Sequence, residues 1–251
     1  MTTLRAIRRS QSAFDPLFFE KSPFFWPILR AARAFGEERG WPEVSTYARV
    51  FEADAPVRFE AAPPLPRRHR RAAIDPGALY DARITEDGCV PTRERSWHDF
   101  LNALVWGTFP RSKRALHERQ HRAIASQLQA LTTPPQSGGR AVAPHATRLP
   151  GARSREHDAL ALIDEGGVVL LESPGRRVGL VFGHALYEGL VLGVRAMAAR
   201  VVEAKVASIP ADPAGVVHGA DAALEERLLS GGLVPELLPR IALAELAALS
   251  P

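Results

Sequence analysis

The chain has 251 residues, of which 46% are hydrophobic and 24% are charged, and a formal net charge of +4. This composition is typical of a globular protein and excludes a mostly disordered chain. A single cysteine, Cys89, excludes both an internal disulfide framework and a zinc site built on cysteine pairs.

The sequence lacks two features that would direct the protein into or across a membrane. The sequence has no run of about 18 apolar residues, so it predicts no membrane-spanning helix and no membrane partner. Polar residues follow the arginines of the N-terminus, where a secretory signal peptide requires an apolar stretch. We therefore expect a soluble, cytoplasmic protein.

Charge is distributed unevenly. Residues 1–150 hold 23 Lys and Arg against 15 Asp and Glu, a net charge of +8, and residues 151–251 hold 9 against 13, a net charge of −4. We expect a helix-rich basic part over 1–131, a flexible insertion or linker over 132–153, and an α/β part over 154–251. Together they are expected to form one integrated domain of the α+β class, in which helices cover a small antiparallel or mixed sheet.

The basic part contains several predicted elements. Apolar spacing after Pro27 predicts a helix as far as residue 40, and the aromatic residues just before it are expected to belong to the core. A strand is predicted over 80–84, returning through Cys89, followed by helices over 97–108 and 111–131. The basic run 67–71 follows a proline-rich segment and is expected to be an exposed loop. It could contact phosphate, but it lacks the interleaved aromatic residues of single-strand binders.

The α/β part begins with two apolar runs, 159–163 and 168–171, which predict strands joined by a hairpin turn over 164–167. A third strand is predicted over 178–182, and it leads through Gly183 into a helix over 184–200 that opens with Gly-His-Ala-Leu. A strand over 204–209 and a helix over 222–229 complete the expected elements. No role is predicted for the C-terminal tail.

The predicted helix 97–108 carries two informative polar residues. His98 and Asn102 are four positions apart and therefore share a face of a helix whose other residues are mostly apolar. Buried polar groups require specific partners, because an unpaired one costs about 1–3 kcal/mol. Asp99 has two interpretations, since its spacing from Ser96 is also that of a helix-capping pair.

A second candidate group lies where a predicted strand ends and a helix begins. His184 and Glu188 share one helix face there, so they could ligate one ion, or the carboxylate could orient the imidazole. The end of a strand is the usual position of active sites in α/β proteins. Asp164 and Glu165 are additional candidates, although acidic residues are also common in turns.

Two other histidine-containing segments are interpreted as structural. His117 and His121 are expected on a solvated helix face because arginines surround them and would repel a cation. His157, next to Asp158, is expected to lie at the edge of a predicted strand.

These motifs resemble the bacterial family of unknown function DUF3025. The resemblance extends over roughly residues 15–210 and departs at His117, where asparagine is expected, and in the C-terminal tail. Because the family has no known activity, the resemblance implies none for this chain. The segments that carry the resemblance are 90–93, 96–106, 109–113, 158–160, 163–166 and 182–188.

The first functional hypothesis is a metal-assisted hydrolase acting on an anionic small molecule or phosphoester, with a divalent metal ion as cofactor. Its candidate metal ligands are His98, His184 and Glu188. Three acidic residues and one amide could complete the site, act as general base or polarise a substrate oxygen, namely Asp99, Asp164, Glu165 and Asn102. Three cationic residues could hold the substrate, namely Arg95, Lys113 and Arg155.

Three alternatives remain open at this point. A metal-free hydrolase could use His184 as general base, oriented by Glu188, with Asn102 polarising a carbonyl or phosphoryl oxygen. The protein could be a non-catalytic module that binds an acidic partner or nucleic acid through its basic part. The polar cluster could instead be a buried network that fixes helices on the sheet. Separation of His98 and His184 by more than about 10 Å would exclude a shared metal ion, whose ligands lie about 2 Å from it.

Overall fold

The computed structural model describes residues 13–52, 54–62, 79–132, 155–194, 196–230, 233, 234 and 237–249. The helices are α1 (Leu29–Arg33), α2 (Tyr80–Asp87), α3 (Trp97–Thr108), α4 (Pro110–Thr132), α5 (Arg155–Gly166), α6 (His184–Val191) and α7 (Pro213–Leu229). The strands are β1 (Arg58–Ala61), β2 (Cys89–Thr92), β3 (Gly167–Ser173), β4 (Arg176–Val181), β5 (Ala198–Lys205) and β6 (Arg240–Ala242). Short 3-10 helices cover Phe18–Lys21, Pro23–Ile28, Val44–Val50 and Leu243–Leu249.

The fold belongs to the expected α+β class, and its main sheet is mixed. Its four strands have the order β4-β3-β5-β6, with β3 antiparallel to β4 and parallel to β5, and β5 antiparallel to β6. A separate two-stranded sheet pairs β1 with β2 in parallel. The first five residues of β3 are buried, as is typical of a strand that is covered on both faces.

Helix α3 forms the centre of the larger apolar core. It begins and ends where the sequence predicts, because Ser96 caps its N-terminus by accepting a hydrogen bond from the Asp99 amide at 3.3 Å. Phe100, Leu101 and Leu104 are fully buried on it. Aromatic residues from the N-terminal segment pack against this helix, as expected, with Phe18 and Phe25 wholly buried.

The prediction of a strand over 80–84 is wrong, because these residues lie in helix α2. Asp81, Ala82 and Ile84 are its buried residues, which is the spacing of a helix face rather than the alternation of a strand. Gly88 ends the helix in the left-handed conformation, with a φ of 61°, and β2 begins at the next residue.

The predicted hairpin turn over 164–167 is also wrong. Residues 159–163 belong to α5, where Leu160, Ile163 and Asp164 are buried at helical spacing. The hairpin lies one element later, between β3 and β4, and turns at Gly175, whose φ is 79°. The apolar run of α5 is short enough to fit either element, so its length does not discriminate between them.

Four other boundaries differ from those predicted. The helix that opens with Gly-His-Ala-Leu ends at Val191 rather than at residue 200, and the following strand is β5 rather than 204–209. Helix α7 begins at Pro213, where Asp212 caps it through the Gly215 amide. Of the helix predicted from residue 28 to residue 40, only α1 (Leu29–Arg33) is α-helical in the structure.

Two predicted segments lie outside the described residues. These are the basic run 67–71 and the expected linker 132–153 except for Thr132, which ends α4. Within the described part of the chain, no helix is both long and apolar enough to cross a membrane.

Gly183 fixes the position of α6 against the end of α5. A Cβ atom at this residue would lie 2.4 Å from the Glu165 carbonyl oxygen and 2.5 Å from the Gly166 amide nitrogen. The chain therefore approaches the last turn of α5 more closely than any side chain allows. This approach brings His184, the first residue of α6, next to Asp164 and Glu165.

We expect Gly183→Ala to lower the free energy of unfolding by about 2 kcal/mol or more, because the contacting atoms belong to the backbone and cannot rotate away. Urea denaturation measures this change. Gly166→Ala is the matched control, since a Cβ there has nothing within 4 Å. Equal destabilisation by the two substitutions would contradict a close backbone approach at Gly183.

Candidate functional site

Polar residues line a cleft of about 760 Å³ where α2, α3, α5 and α6 meet. His98 lies in the first turn of α3, Asp164 and Glu165 lie in the last turn of α5, and His184 begins α6. The polar lining is Tyr80, Arg93, Glu94, His98, Asp99, Asn102, Asp164, Glu165 and His184.

The two histidines meet in this cleft although 86 positions separate them. Their Nε2 atoms are 3.0 Å apart, and their ring centroids are separated by 4.4 Å in an edge-to-face arrangement. The separation of the Nε2 atoms is far below the limit of about 10 Å beyond which a shared metal ion would be excluded. His98 is 28% exposed at its side chain, whereas His184 is 4% exposed.

Glu188 lies on the other side of the His98 ring from this meeting point. Its Oε2 atom is 3.0 Å from His98 Nδ1. The hydrogen bond that His98 donates to Glu188, opposed by desolvation, raises the pKa of His98 above 6.5. An ionised carboxylate only accepts hydrogen bonds, so it favours the tautomer with hydrogen on Nδ1 and leaves the Nε2 lone pair directed at His184.

His184 is held in a dry environment. Burial, together with the nearby positive charge of Lys113, lowers its pKa to about 3 despite the opposing effect of Asp164. The imidazole is therefore neutral at ordinary pH. Its Nδ1 atom lies 3.9 Å from Asp164 Oδ1, and its Nε2 atom faces His98.

Glu165 is the carboxylate closest to both Nε2 atoms. Its oxygens lie 3.7 Å from His98 Nε2 and 3.5 Å from His184 Nε2, and burial raises the pKa of its carboxyl. His98, Glu165 and His184 each offer a ligand atom within 4.8 Å of the others, an arrangement that could hold a metal ion. Of the expected ligands, the structure thus brings together His98 and His184, with Glu165 in the position expected for Glu188.

Asp164 belongs to a buried polar network behind the histidines. The wholly buried ammonium of Lys113 contacts Asp164 and donates to Asn102 Oδ1 at 2.8 Å. Burial alone would raise the pKa of Asp164, but the attraction of Lys113 outweighs it and holds the pKa well below its ordinary value. The amide of Asn102 in turn donates to the Tyr80 hydroxyl at 3.0 Å.

Asp99 forms an ion pair with Arg93, a partner that the sequence patterns do not indicate. Arg93 forms a two-pronged ion pair with it, at 2.7 Å from Nη2 to Oδ1 and 2.9 Å from Nε to Oδ2. The carboxylate of Asp99 thus anchors the loop before α3, while the capping oxygen belongs to Ser96.

The three cationic residues expected to bind substrate have different positions. Lys113 is buried and paired, as described above. Arg155 is exposed at the first residue of α5 and does not belong to the lining of the cleft. Arg95 is exposed in the loop before α3 with a φ of 54°, and it lines a smaller depression together with His98 and Glu188.

A second buried cluster lies near the cleft and contradicts two predictions. His117 is 1% exposed rather than solvated, and its Nδ1 lies 3.0 Å from Asp81 Oδ1. His157 is 7% exposed rather than at a strand edge, with Nε2 at 3.2 Å from Asp81 Oδ2. Desolvation opposes ionisation of Asp81, but the hydrogen bonds of both histidines prevail and lower its pKa to about 2.

Comparison with known proteins identifies a family but no characterised relative. The family model described as "Protein of unknown function (DUF3025)" matches residues 69–178, so the resemblance is confirmed over that segment. The segment includes Tyr80, His98, Asp164 and Glu165, whereas His184 lies beyond its end. Neither the curated proteins nor the solved structures gave a significant match.

We expect Asp81→Asn to remove an acid-sensitive part of the stability. A carboxyl whose pKa is lowered from 3.8 to about 2 stabilises the fold above pH 3.8 and loses this contribution as the pH falls to 2. The contribution amounts to about 2 kcal/mol. Urea unfolding between pH 5 and pH 2 should show a smaller loss in this variant than in the wild type. The exposed Asp54→Asn is the control, and an equal loss in the Asp81 variant and the wild type would contradict the prediction.

We expect Glu188→Gln to lower the pKa of His98, because the amide cannot stabilise the imidazolium as a carboxylate does. The pair stabilises the metal-free protein below pH 6.5, and this contribution is lost as the pH rises through the raised pKa. An NMR titration of the His98 ring measures the change, with His121 as an internal reference. An unchanged pKa of His98 would show that Glu188 does not set it.

Proposed function

We propose that the protein is a hydrolase that uses a divalent metal ion held by His98, His184 and Glu165. The observation that carries the proposal is the convergence of two Nε2 atoms 3.0 Å apart with carboxylate oxygens at 3.5 and 3.7 Å, in an open cleft. Two histidines and one carboxylate form a ligand set of catalytic zinc sites, which keep a fourth position for water.

The distances support this ligand set. Atoms bound at about 2.0–2.2 Å to a tetrahedral ion are separated by about 3.3–3.6 Å. The three separations between the Nε2 atoms and Glu165 lie at or within a few tenths of an ångström of this range. Only small side-chain shifts are needed to bind an ion.

The electrostatics of the cluster give a second argument. Glu188 and Asp164 face the Nδ1 atoms of His98 and His184, which favours hydrogens on Nδ1 and lone pairs on both Nε2 atoms. Two lone pairs and a carboxylate then face one point, and they repel each other unless a proton or a metal ion lies between them. A neutral His184 is ready to ligate, since metal ligands must be deprotonated.

The remaining residues have supporting roles in this proposal. Glu188 orients the His98 ring, and Lys113 balances the charge of Asp164 next to His184. Asp99 holds the Arg93 loop instead of serving as a ligand or base. When bound, the ion would lower the pKa of its water towards 7 and so supply the attacking hydroxide.

Two alternatives to the hydrolase proposal are a structural network and a binding module. The network of Lys113, Asp164 and Asn102 is buried and paired, as a structural role requires, but the partial exposure of His98 and Glu165 on a cleft exceeds what such a role needs. A module that binds an acidic partner or nucleic acid would depend on the basic run 67–71, which lies outside the described residues. Binding of that kind would weaken steeply with salt.

The decisive experiment is metal binding. We expect protein purified without chelators to contain about one equivalent of zinc or another divalent metal by elemental analysis, and His184→Ala to abolish this content while circular dichroism remains that of the wild type. Glu188→Gln should weaken zinc binding about 10- to 100-fold in calorimetry, as removal of an orienting carboxylate does.

His121→Ala is the matched control, because this ring pairs with Glu86 away from the cleft. The proposal fails if metal-free wild-type protein binds no zinc, or if His184→Ala retains wild-type affinity. A large loss of stability without any change in metal content would favour the structural alternative.

A further inference from the structure

We propose that the Tyr80 hydroxyl donates a hydrogen bond to the carbonyl oxygen of an uncharged ester or amide bound in the cleft. This inference rests on the proposed hydrolase function and assigns its substrate class and a further catalytic residue. It differs from the expectation of an anionic substrate, which depended on Arg95, Lys113 and Arg155.

The direction of the Tyr80 hydrogen bond follows from its neighbours. The ammonium of Lys113 can only donate, so the Asn102 atom 2.8 Å away must be its carbonyl oxygen. The amide nitrogen of Asn102 therefore faces Tyr80, and at 3.0 Å it donates to the hydroxyl oxygen. A hydroxyl that accepts this bond keeps its own hydrogen for another acceptor. Among the described residues, no such acceptor pairs with it.

Tyr80 is suited to act as a neutral donor. The residue is 39% exposed and lines the cleft that contains His98 and His184. Desolvation of the hydroxyl, reinforced by the charge of Asp164, raises its pKa well above 10, so it keeps its hydrogen throughout the physiological range. The chain from Asp164 through Lys113 and Asn102 holds it in place without motion during a reaction.

The charges of the cleft favour an uncharged substrate. Arg93 is neutralised by Asp99, and Lys113 is neutralised by Asp164. Glu94 adds negative charge to the lining without a basic partner among the cleft-lining residues, whereas the charge of Glu165 faces the two histidines and the proposed metal ion. A phosphoester would therefore meet repulsion beyond the metal, whereas a carbonyl group needs only a donor such as Tyr80.

The reaction balances as hydrolysis. The oxygen of water bonds to the carbonyl carbon, and the π electron pair moves to the carbonyl oxygen, where the hydrogen bond from Tyr80 strengthens. The electron pair on this oxygen then re-forms the carbonyl double bond as the bond to the alcohol oxygen or amine nitrogen breaks, and the electron pair of the broken bond leaves with that atom. The leaving atom takes up the proton released by the water, which gives a carboxylic acid and an alcohol or amine.

The test compares Tyr80→Phe with wild-type protein, both loaded with zinc. The probes are acetohydroxamic acid, a carbonyl compound that is uncharged in solution and ligates zinc through its hydroxamate oxygens, and inorganic phosphate. We expect calorimetry to show tighter binding of acetohydroxamic acid than of phosphate by the wild type. Tyr80→Phe should weaken acetohydroxamic acid about fivefold, the effect of one neutral hydrogen bond, with unchanged zinc affinity.

Tyr47→Phe is the matched control, because it removes a buried hydroxyl that does not line the cleft. Equal affinity of Tyr80→Phe and wild type for acetohydroxamic acid overturns the role of Tyr80 while leaving the metal site intact. Tighter binding of phosphate overturns the substrate class. Failure of the wild type to bind zinc overturns the proposed function and this inference with it.

A kinetic measurement adds a second readout. Zinc-loaded wild type should hydrolyse p-nitrophenyl acetate but not p-nitrophenyl phosphate, and Tyr80→Phe should lower kcat more than it raises KM, since the hydrogen bond strengthens in the transition state. The residual rate of His184→Ala sets the background. An unchanged kcat in Tyr80→Phe overturns the proposal.

Discussion

The buried ion pair between Lys113 and Asp164 joins three helices behind the histidines of the cleft. A lysine with no exposed surface is stable only if a carboxylate compensates its charge, and removal of one partner of such a pair typically costs about 3–5 kcal/mol. The pair joins α4 to α5, and Asn102 attaches it to α3. Because Asp164 also faces the Nδ1 atom of His184, one compensated charge sets both the helix arrangement and the electrostatics of the histidine pair.

The surroundings of the two histidines shift the pKa values of their rings in opposite directions. His184 is buried beside the positive charge of Lys113, and its pKa is lowered to about 3. His98 is partly exposed beside Glu188, and its pKa is raised. Both surroundings nevertheless direct the Nε2 atoms towards the same point, and this convergence distinguishes the cluster from an ordinary buried network.

The sequence predicts the class of the fold, helix α3 and the two histidines, because each leaves a local signal. Ser96 and the apolar run after it define α3, and a histidine on an apolar helix signals a buried partner. The sequence does not predict the pairing of Glu165 with both rings, which depends on α5 being a helix and on the close approach at Gly183. Nor does the sequence indicate Tyr80. The composition of residues 80–84 favours a strand, whereas in the structure these residues form a helix with one buried face.

The separation of the two histidines along the chain has a consequence for folding. His98 and His184 come from helices that 75 residues separate, from Thr108 to His184, so neither half of the chain holds the pair alone. Contacts between such distant segments require the closure of a long loop, and the entropy lost on closure lowers the rate of folding. A fragment ending before α5 would carry one imidazole with nothing opposite it, and the pair is therefore a natural marker of the completely folded chain.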